Sequence, residues 1–196
     1  RYPELVRVTE QVMEQAEAFL QEFLRRFEND RRKIAEEICP GVEHTGIRSL
    51  ALRAGDPHNG GRSTIRVQLE NGVWLYYKPH SIRKKALYQT IYNRISKSLG
   101  LSCLHAPYLD CGAYGWEAEI VSRGCDTVAE VQSYYYRMGI HLFLGYVLTA
   151  SDLHGENLIA CGEYPMIADG MCSALAGTGS EPGRLYRRDV QGNCRY

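Results

Sequence analysis

Apolar residues in the first part of the chain recur with the spacing of an amphipathic helix. Between residues 4 and 28 they fall three or four positions apart, the period that places side chains on one helical face. The members of this stripe are Leu5, Val8, Val12, Ala16, Phe19, Leu20, Phe23, Leu24 and Phe27. Asn29-Asp30 interrupts the stripe, so we expect Asp30 to cap a second helix that extends to about Ile38. Gly41 then closes a helical N-terminal section, placed at residues 1–44.

Strict alternation of apolar and polar residues follows, and it predicts a β-hairpin. Apolar residues occupy every second position from 65 to 69 and again from 73 to 77. Asn71-Gly72 lies between the two segments and is a sequence that tight hairpin turns favour. Lys78 ends the second strand, and Pro79 cannot continue its hydrogen-bond ladder.

The later segments predict further helices and short strands. In chain order they are a helix at 81–99 capped by Ser81 and stopped by Gly100, strands at 107–113 and 116–122 with a turn at Tyr114-Gly115, a helix at 127–149, and strands at 157–160 and 165–169. Beyond residue 172 the sequence is glycine-rich and polar, so a loose tail is expected at 173–196. The elements together predict an α+β fold.

Composition and charge argue against several functional classes. Lys and Arg total 23, and Asp and Glu total 23, so the balanced charge gives no support for nucleic-acid binding. No apolar run is long enough to span a bilayer, and the charged N-terminal segment is unlike a signal sequence. The seven cysteines lack CxxC spacing, which favours reduced thiols over disulfides or a local zinc site. A cytoplasmic protein is therefore expected, and the oligomeric state is not indicated.

Five polar residues occur in an order that is typical of phosphoryl transfer. Asp152, His154 and Asn157 share one short polar segment, and Asp169 follows it after an apolar run. In kinases an Asp accepts or orients the substrate hydroxyl, while an Asn five positions later and a further Asp hold Mg²⁺. The pattern therefore predicts Asp152 as catalytic and Asn157 with Asp169 as Mg²⁺ ligands. His154 could orient Asp152, contact the γ-phosphate or hydrogen-bond a backbone carbonyl, and an orienting or structural role is favoured over general-base catalysis. Lys78, far upstream at a strand end, matches the kinase lysine that neutralises phosphate oxygens.

A glycine-rich loop at residues 55–62 precedes the hairpin. Its glycines permit close approach to a phosphate, and it carries Asp56, His58 and Arg62, of which the Arg could bind phosphate through two hydrogen bonds. The loop lacks the Gly-Lys-Ser/Thr ending of a Walker motif, so a P-loop NTPase is not indicated. The structural alternative for this loop is an ordinary turn. For the Asp152 segment it is a loop whose side chains cap backbone groups.

Six segments spread over residues 45–172 carry a family resemblance. They are Gly55-Asp56-x-His58-x-x-Gly61-Arg62, Tyr77-Lys78-Pro79, Tyr114-Gly115-Trp116, Tyr136-Arg137-x-Gly139, Asp152-x-His154-x-Glu156-Asn157-Leu158-Ile159-Ala160 and the strand into Asp169. In this order they resemble the N-terminal dehydratase domain of class II lanthipeptide synthetases, the LanM family. One position departs, because the family usually has an acidic residue two positions after the metal-binding Asp, where this chain has Met171.

The resemblance implies a partial lipid-kinase-like bilobal fold with its dehydratase core at residues 45–172. Enzymes of this family use ATP and Mg²⁺ to phosphorylate Ser and Thr in a precursor peptide that carries a leader. They then eliminate the phosphate to leave dehydroalanine and dehydrobutyrine. Carried over to this chain, the resemblance implies that Lys78 contacts ATP phosphates, that Asp169 binds Mg²⁺, that Asp152, His154 and Asn157 form the phosphorylation loop, and that Asp56 and His58 lie near the nucleotide.

We therefore expect the chain to hold the ATP and Mg²⁺ half of such a site. Family members are much longer, so the chain is expected to be truncated, with the elimination residues and the zinc-binding cyclase domain outside it. The competing interpretation is a degenerate kinase-like segment that binds nucleotide or peptide without turnover. A small phosphotransferase that acts on another class of hydroxyl compound is the third.

Overall fold

A computed structural model describes residues 2–52, 54–55, 61–151, 155–168 and 171–172. Three α-helices, two short 3₁₀ helices and nine strands occur in this part of the chain, which confirms the α+β prediction. In chain order the α-helices and strands are α1 Pro3–Glu37, β1 Ile47–Ala51, β2 Ile65–Leu69, β3 Trp74–Lys78, α2 Arg83–Ser98, β4 Tyr108–Asp110, β5 Gly115–Ala118, α3 Val128–Val147, β6 Ala150–Ser151, β7 Leu158–Cys161, β8 Tyr164–Ile167 and β9 Met171–Cys172. The predicted tail at 173–196 lies outside the described residues.

The largest sheet contains five antiparallel strands in the order β1-β2-β3-β5-β4. Its centre is the predicted β2–β3 hairpin, and the turn is confirmed: Gly72 has a φ of 86°, and Asn71 Oδ1 accepts a hydrogen bond from the Val73 amide. The sequence did not predict β1, because a register shift between Ile47 and Ser49 breaks the alternation of its apolar residues. Two shorter pairs, β6–β9 and β7–β8, follow α3.

The prediction of two N-terminal helices is wrong, because α1 continues without a break through Asn29-Asp30. Asp30 caps nothing; it lies on the buried face of the helix, in line with Phe23, Phe27 and Ile34. Its Oδ2 accepts hydrogen bonds from the Trp116 indole at 3.0 Å and from the Tyr114 hydroxyl at 2.8 Å. A polar residue therefore continues the helical stripe because the sheet supplies its hydrogen-bond donors.

The Cys111 thiol is the third donor to the Asp30 carboxylate, at 3.6 Å. Burial raises the pKa of Cys111 to about 11, and the neighbouring Asp30 charge acts in the same direction. Burial also raises the pKa of Tyr114, whose hydrogen bond to Asp30 adds to the effect. Both donors therefore keep their protons across the physiological range, and the cluster stays intact.

An aromatic core joins α1 to one face of the five-stranded sheet. Phe23 packs against Tyr77 with ring centroids 5.3 Å apart, and Phe27 packs against Trp116 at 5.7 Å. Tyr77 and Trp116 also touch each other, at 4.9 Å. The apolar residues nearer the start of α1, by contrast, are exposed, so only its second half belongs to this core.

A second core lies between α2, α3 and β8, and it contains His141. The ring is 4% exposed and stacks on Tyr92 with centroids 4.2 Å apart. Its Nε2 lies 3.0 Å from the Pro165 carbonyl, which only accepts, so Nε2 carries the proton and Nδ1 accepts from the Tyr88 hydroxyl at 2.9 Å. His141 is therefore a hydrogen-bonded packing residue of this core.

Both later helices occur close to their predicted bounds. Gly100 follows α2 with a φ of 73°, the left-handed conformation expected of a helix stop. Ser81 does not cap α2: the N-cap is Ile82, and the contact from the Arg83 amide to Ser81 Oγ is long, at 3.4 Å. Thr127 caps α3, because its side chain accepts from the Glu130 amide. In the described part of the chain, none of the helices combines the length and apolarity that crossing a bilayer requires.

Removing the Asp30 acceptor is expected to destabilise the fold. Asp30→Ala leaves the half-buried Tyr114 donor and the buried Trp116 donor without this partner, so the free energy of unfolding should fall by about 3 kcal/mol. Glu36→Ala on the exposed side of α1 is the matched control, since its ion pair with Arg32 is solvent-exposed and should contribute less than about 0.5 kcal/mol. Urea unfolding measures both values. Equal stability of the two variants would show that the Asp30 cluster does not hold α1 to the sheet.

His141 is expected to make stability depend on pH. Burial lowers its folded-state pKa to about 4, whereas the unfolded chain binds a proton near pH 6.5. Protonation then favours the unfolded state, so the free energy of unfolding falls by up to about 3 kcal/mol as pH falls from 6.5 towards 4. Between pH 7 and pH 5, urea unfolding should show a smaller fall in this free energy for His141→Gln than for the parent. His105→Gln, which changes an exposed ring, should keep the parental loss.

Candidate functional site

Lys78 lies at the end of β3, on the side of the sheet that faces away from α1. Side chains alternate along a strand, so Lys78 points opposite to Tyr77, whose ring is in the aromatic core. Its partner across the sheet is Gly115 on β5. Although charged, Lys78 is only 8% exposed. The strand-end position that the sequence predicted for Lys78 is confirmed, whereas its contact with phosphate stays a prediction.

The predicted phosphate loop connects β1 to β2. Of its three candidate residues, only Arg62 lies within the described part of the chain. The Arg62 guanidinium donates to the Glu22 carboxylate of α1 at 2.5 Å. A role in phosphate binding would require Arg62 to exchange this carboxylate for a phosphate. Asp56 and His58 lie outside the described residues, so their predicted roles near the nucleotide stay predictions.

Asn157 stands at the start of the β7–β8 hairpin. It ends a short 3₁₀ turn, and Leu158 directly after it pairs with Ile167. The Asn157 carbonyl accepts a hydrogen bond from the Ala168 amide at 2.9 Å. Ala168 is the residue before Asp169 in the chain. The hairpin thus brings one predicted Mg²⁺ ligand against the residue adjoining the other.

A second backbone pairing joins the same two segments. Ser151 of β6 pairs with Met171 of β9. Ser151 directly precedes Asp152, and Met171 comes two positions after Asp169. Asp152, His154 and Asp169 lie outside the described residues. Their roles stay predictions, while the residues that flank them are held together by antiparallel pairing.

The structure adds Lys85 and Glu117, which no motif in the sequence indicated. Lys85 Nζ on α2 donates to Glu117 Oε2 on β5 at 2.8 Å and to the Ala168 carbonyl at 2.8 Å. Both side chains are largely shielded from solvent, at 22% and 9% exposed. A signal was available, because Glu117 sits between apolar residues in a predicted strand and so needs a partner if buried. The partner itself could not be read from the sequence, since it lies 32 positions away.

The start of α2 packs tightly on the same side of the sheet at Gly115. A Cβ at this position would lie 2.5 Å from Ile82 Cδ1. The glycine of the Tyr114-Gly115-Trp116 segment is therefore required by the close approach of the helix. Gly115 is also the strand partner of Lys78. The position of α2 next to Lys78 therefore depends on a residue without a side chain at position 115.

Arg137, from another segment of the resemblance, has a scaffold role. It is 3% exposed and donates to the Ser102 carbonyl at 3.3 Å. Its guanidinium lies 3.5 Å from the Glu163 carboxylate and 4.7 Å from the centre of the Tyr164 ring. Arg137 thereby ties α3 to the β7–β8 turn.

The donor atoms of the predicted ligands suit Mg²⁺. Within the described ranges, no group of three or more His, Cys, Asp or Glu residues could hold a metal ion. The amide oxygen of Asn157 and the carboxylate of Asp169 are hard oxygen donors, and Mg²⁺ typically takes only one or two protein groups together with water and substrate phosphates. This small donor set is therefore compatible with Mg²⁺ bound together with a nucleotide.

Filling the space at Gly115 is expected to displace α2. Gly115→Ala places a methyl group closer to Ile82 than van der Waals contact allows, so the free energy of unfolding should fall by about 1–3 kcal/mol. Gly139→Ala is the matched control: a methyl group at this α3 glycine would meet nothing within 4 Å, and the helix should gain up to about 1 kcal/mol. Urea unfolding distinguishes the two. An unchanged free energy of unfolding in Gly115→Ala would contradict the close packing of α2 on β5.

Comparisons with known proteins agree with the resemblance. Over 147 residues the chain is 29% identical to the lacticin 481/lactococcin biosynthesis protein LcnDR2 of Lactococcus lactis subsp. lactis, a LanM-type protein. The match covers 70% of this chain and 15% of that protein, so the chain spans a small part of its relative's length. A family described as a domain of unknown function, DUF4135, matches residues 2–175. This domain is found in LanM-type proteins, and the chain belongs to the DUF4135 family.

Proposed function

We propose that the chain binds ATP with Mg²⁺ and phosphorylates Ser and Thr hydroxyls of a lanthipeptide precursor. The observation that carries the proposal is the double pairing around the candidate site. Ala168 is hydrogen-bonded to Asn157, and Met171 is paired with Ser151. The chain neighbours of Asp169 are thus joined both to a predicted Mg²⁺ ligand and to the neighbour of the predicted catalytic Asp152.

The order of elements supports a kinase-like fold for the proposal. A loop containing glycines joins β1 to β2, a buried lysine ends β3, and a helix follows. Protein kinases use the same order for the loop that covers the phosphates, for the lysine on the third strand and for the helix after it. We propose on this basis that the five-stranded sheet is one lobe of a lipid-kinase-like bilobal fold and that β6 to β9 belong to the second.

The peptide substrate is proposed from the relative. LcnDR2 is a lacticin 481/lactococcin biosynthesis protein, and the resemblance to LanM dehydratases adds a precursor peptide with a leader as the partner. The match covers 15% of that relative, so we assign this chain only the phosphorylation step. Elimination of the phosphate is proposed to need residues outside it.

The reaction would proceed by in-line displacement. The Ser or Thr hydroxyl oxygen forms a bond to the γ-phosphorus, the bond from that phosphorus to the β–γ bridging oxygen breaks, and ADP leaves. Asp152 takes the hydroxyl proton, and His154 orients the Asp152 carboxylate. Lys78 donates to phosphate oxygens as their charge spreads in the transition state. Asn157 and Asp169 would hold Mg²⁺, which supplies positive charge against the phosphates.

The proposal predicts Mg²⁺-dependent ATP binding that requires both halves of the site. Lys78→Ala removes a charge-assisted contact to phosphate, and Asp169→Asn removes the carboxylate for Mg²⁺. Each should weaken the affinity for ATP with Mg²⁺ by about tenfold or more in calorimetry. Lys84→Ala, an exposed lysine on α2, is the matched control and should leave the affinity unchanged.

Two results would count against this function. A folded parent chain that binds no ATP with Mg²⁺ would leave the candidate residues without a nucleotide to act on. Binding without phosphorylation of a Ser- and Thr-containing precursor peptide would instead favour a segment that binds nucleotide but does not turn it over.

A further inference from the structure

We infer that Lys85 is a positioning residue that fixes the β7–β8 hairpin, and with it Asn157, relative to the sheet that carries Lys78. This inference deepens the proposed function and rests on it. Lys85 holds the proposed phosphate-binding and metal-binding halves of the site in register. Lys85 acts through its contacts with Glu117 and Ala168.

Lys85 contacts both the five-stranded sheet and the segment that follows β8. Its ammonium lies 2.8 Å from a carboxylate oxygen of Glu117, which belongs to the five-stranded sheet. The same ammonium lies 2.8 Å from the carbonyl of Ala168, which follows β8. One cation on α2 therefore connects two elements that do not share a strand pairing.

Both the amide and the carbonyl of Ala168 are hydrogen-bonded. Its amide donates to the Asn157 carbonyl, and its carbonyl accepts from Lys85. Because Asn157 is bonded to Ala168, a shift of the Ala168 carbonyl would move Asn157 as well. On the sheet side, Glu117 and Lys78 lie on neighbouring strands, with Lys78 opposite Gly115. Lys85 thus sets the separation between Lys78 and Asn157.

The charges are reversed with respect to protein kinases. There the lysine of the third strand pairs with a glutamate on the following helix, and this ion pair must form in the active arrangement. None of the sixteen residues of α2 is Asp or Glu, so that pair cannot form here. The helix instead supplies the cation, and the sheet supplies the carboxylate through Glu117. A connection between α2 and the sheet is retained with the opposite polarity.

The burial of the pair makes it sensitive to substitution. Glu117 is 7% exposed as a residue, so removal of Lys85 leaves a buried carboxylate without this partner. The Ala168 carbonyl loses a donor at the same time. Lys85→Met keeps an unbranched apolar stem of similar length and removes the ammonium. Lys85→Arg keeps the charge and the donors.

The test separates positioning from general loss of structure. ATP affinity is measured with and without Mg²⁺, and the dissociation constant without Mg²⁺ divided by that with Mg²⁺ reports how well phosphate and metal contacts cooperate. Lys85→Met should lower this ratio by about tenfold while affinity without Mg²⁺ is kept, because Lys78 stays in place. Lys85→Arg should restore most of the ratio. Lys84→Met, the exposed neighbour, should match the parent.

Hydrogen exchange of the nucleotide-free protein provides the second readout. The Ala168 amide should exchange about tenfold faster in Lys85→Met than in the parent, with the α1-facing core unchanged. The inference requires both results, and an unchanged ratio or an unchanged Ala168 amide overturns it. A parent that binds no ATP overturns the proposed function instead. If Lys85→Met does not fold, Glu117→Gln tests the same connection, with the same two changes expected.

Discussion

The pleat of the two central strands divides the sheet into a scaffold face and a face with candidate chemistry. Tyr77 and Trp116 are directly opposite each other and point into the aromatic core under α1. One residue further along the pairing, Lys78 and Gly115 lie on the other face. A shift of register by one residue would exchange the two faces. The position of Lys78 therefore depends on the burial of Tyr77 and Trp116 against α1.

Buried charges connect this sheet to the helices on either side of it. Asp30 joins α1 to β5 by accepting from Trp116, and Lys85 joins α2 to β5 through Glu117. An unpaired charge in the interior is costly, so each contact specifies which elements may lie next to each other. The β5 strand receives one such contact on each face. It is the common reference for the helix of the scaffold and the helix of the candidate site.

Local signals were sufficient for the parts of the fold that depend on neighbouring residues. The β2–β3 hairpin follows from alternation and from Asn71-Gly72, and the end of α2 follows from Gly100. The errors arose where distant partners decide. Asp30 was expected to cap a helix. Its true hydrogen-bond donors lie in the β4–β5 hairpin, more than eighty positions away, so the local sequence gives no sign of them. Strand β1 was missed because its bulge removes the regular alternation.

The same distinction applies to the segments that carry the family resemblance. Tyr114, Trp116 and Arg137 belong to these segments, yet their contacts in this chain are with the scaffold. Gly115 is needed because α2 approaches β5 closely. A shared residue in such a segment is therefore not by itself evidence for a role in chemistry. The residues proposed for phosphoryl transfer are a smaller set, and among the described ones Lys78 lies on the sheet, Asn157 on the hairpin, and Lys85 contacts both parts through Glu117 and Ala168. The geometry of such a site then depends on the ion pair of Lys85 with Glu117 and on the hydrogen bonds that join Ala168 to Lys85 and to Asn157.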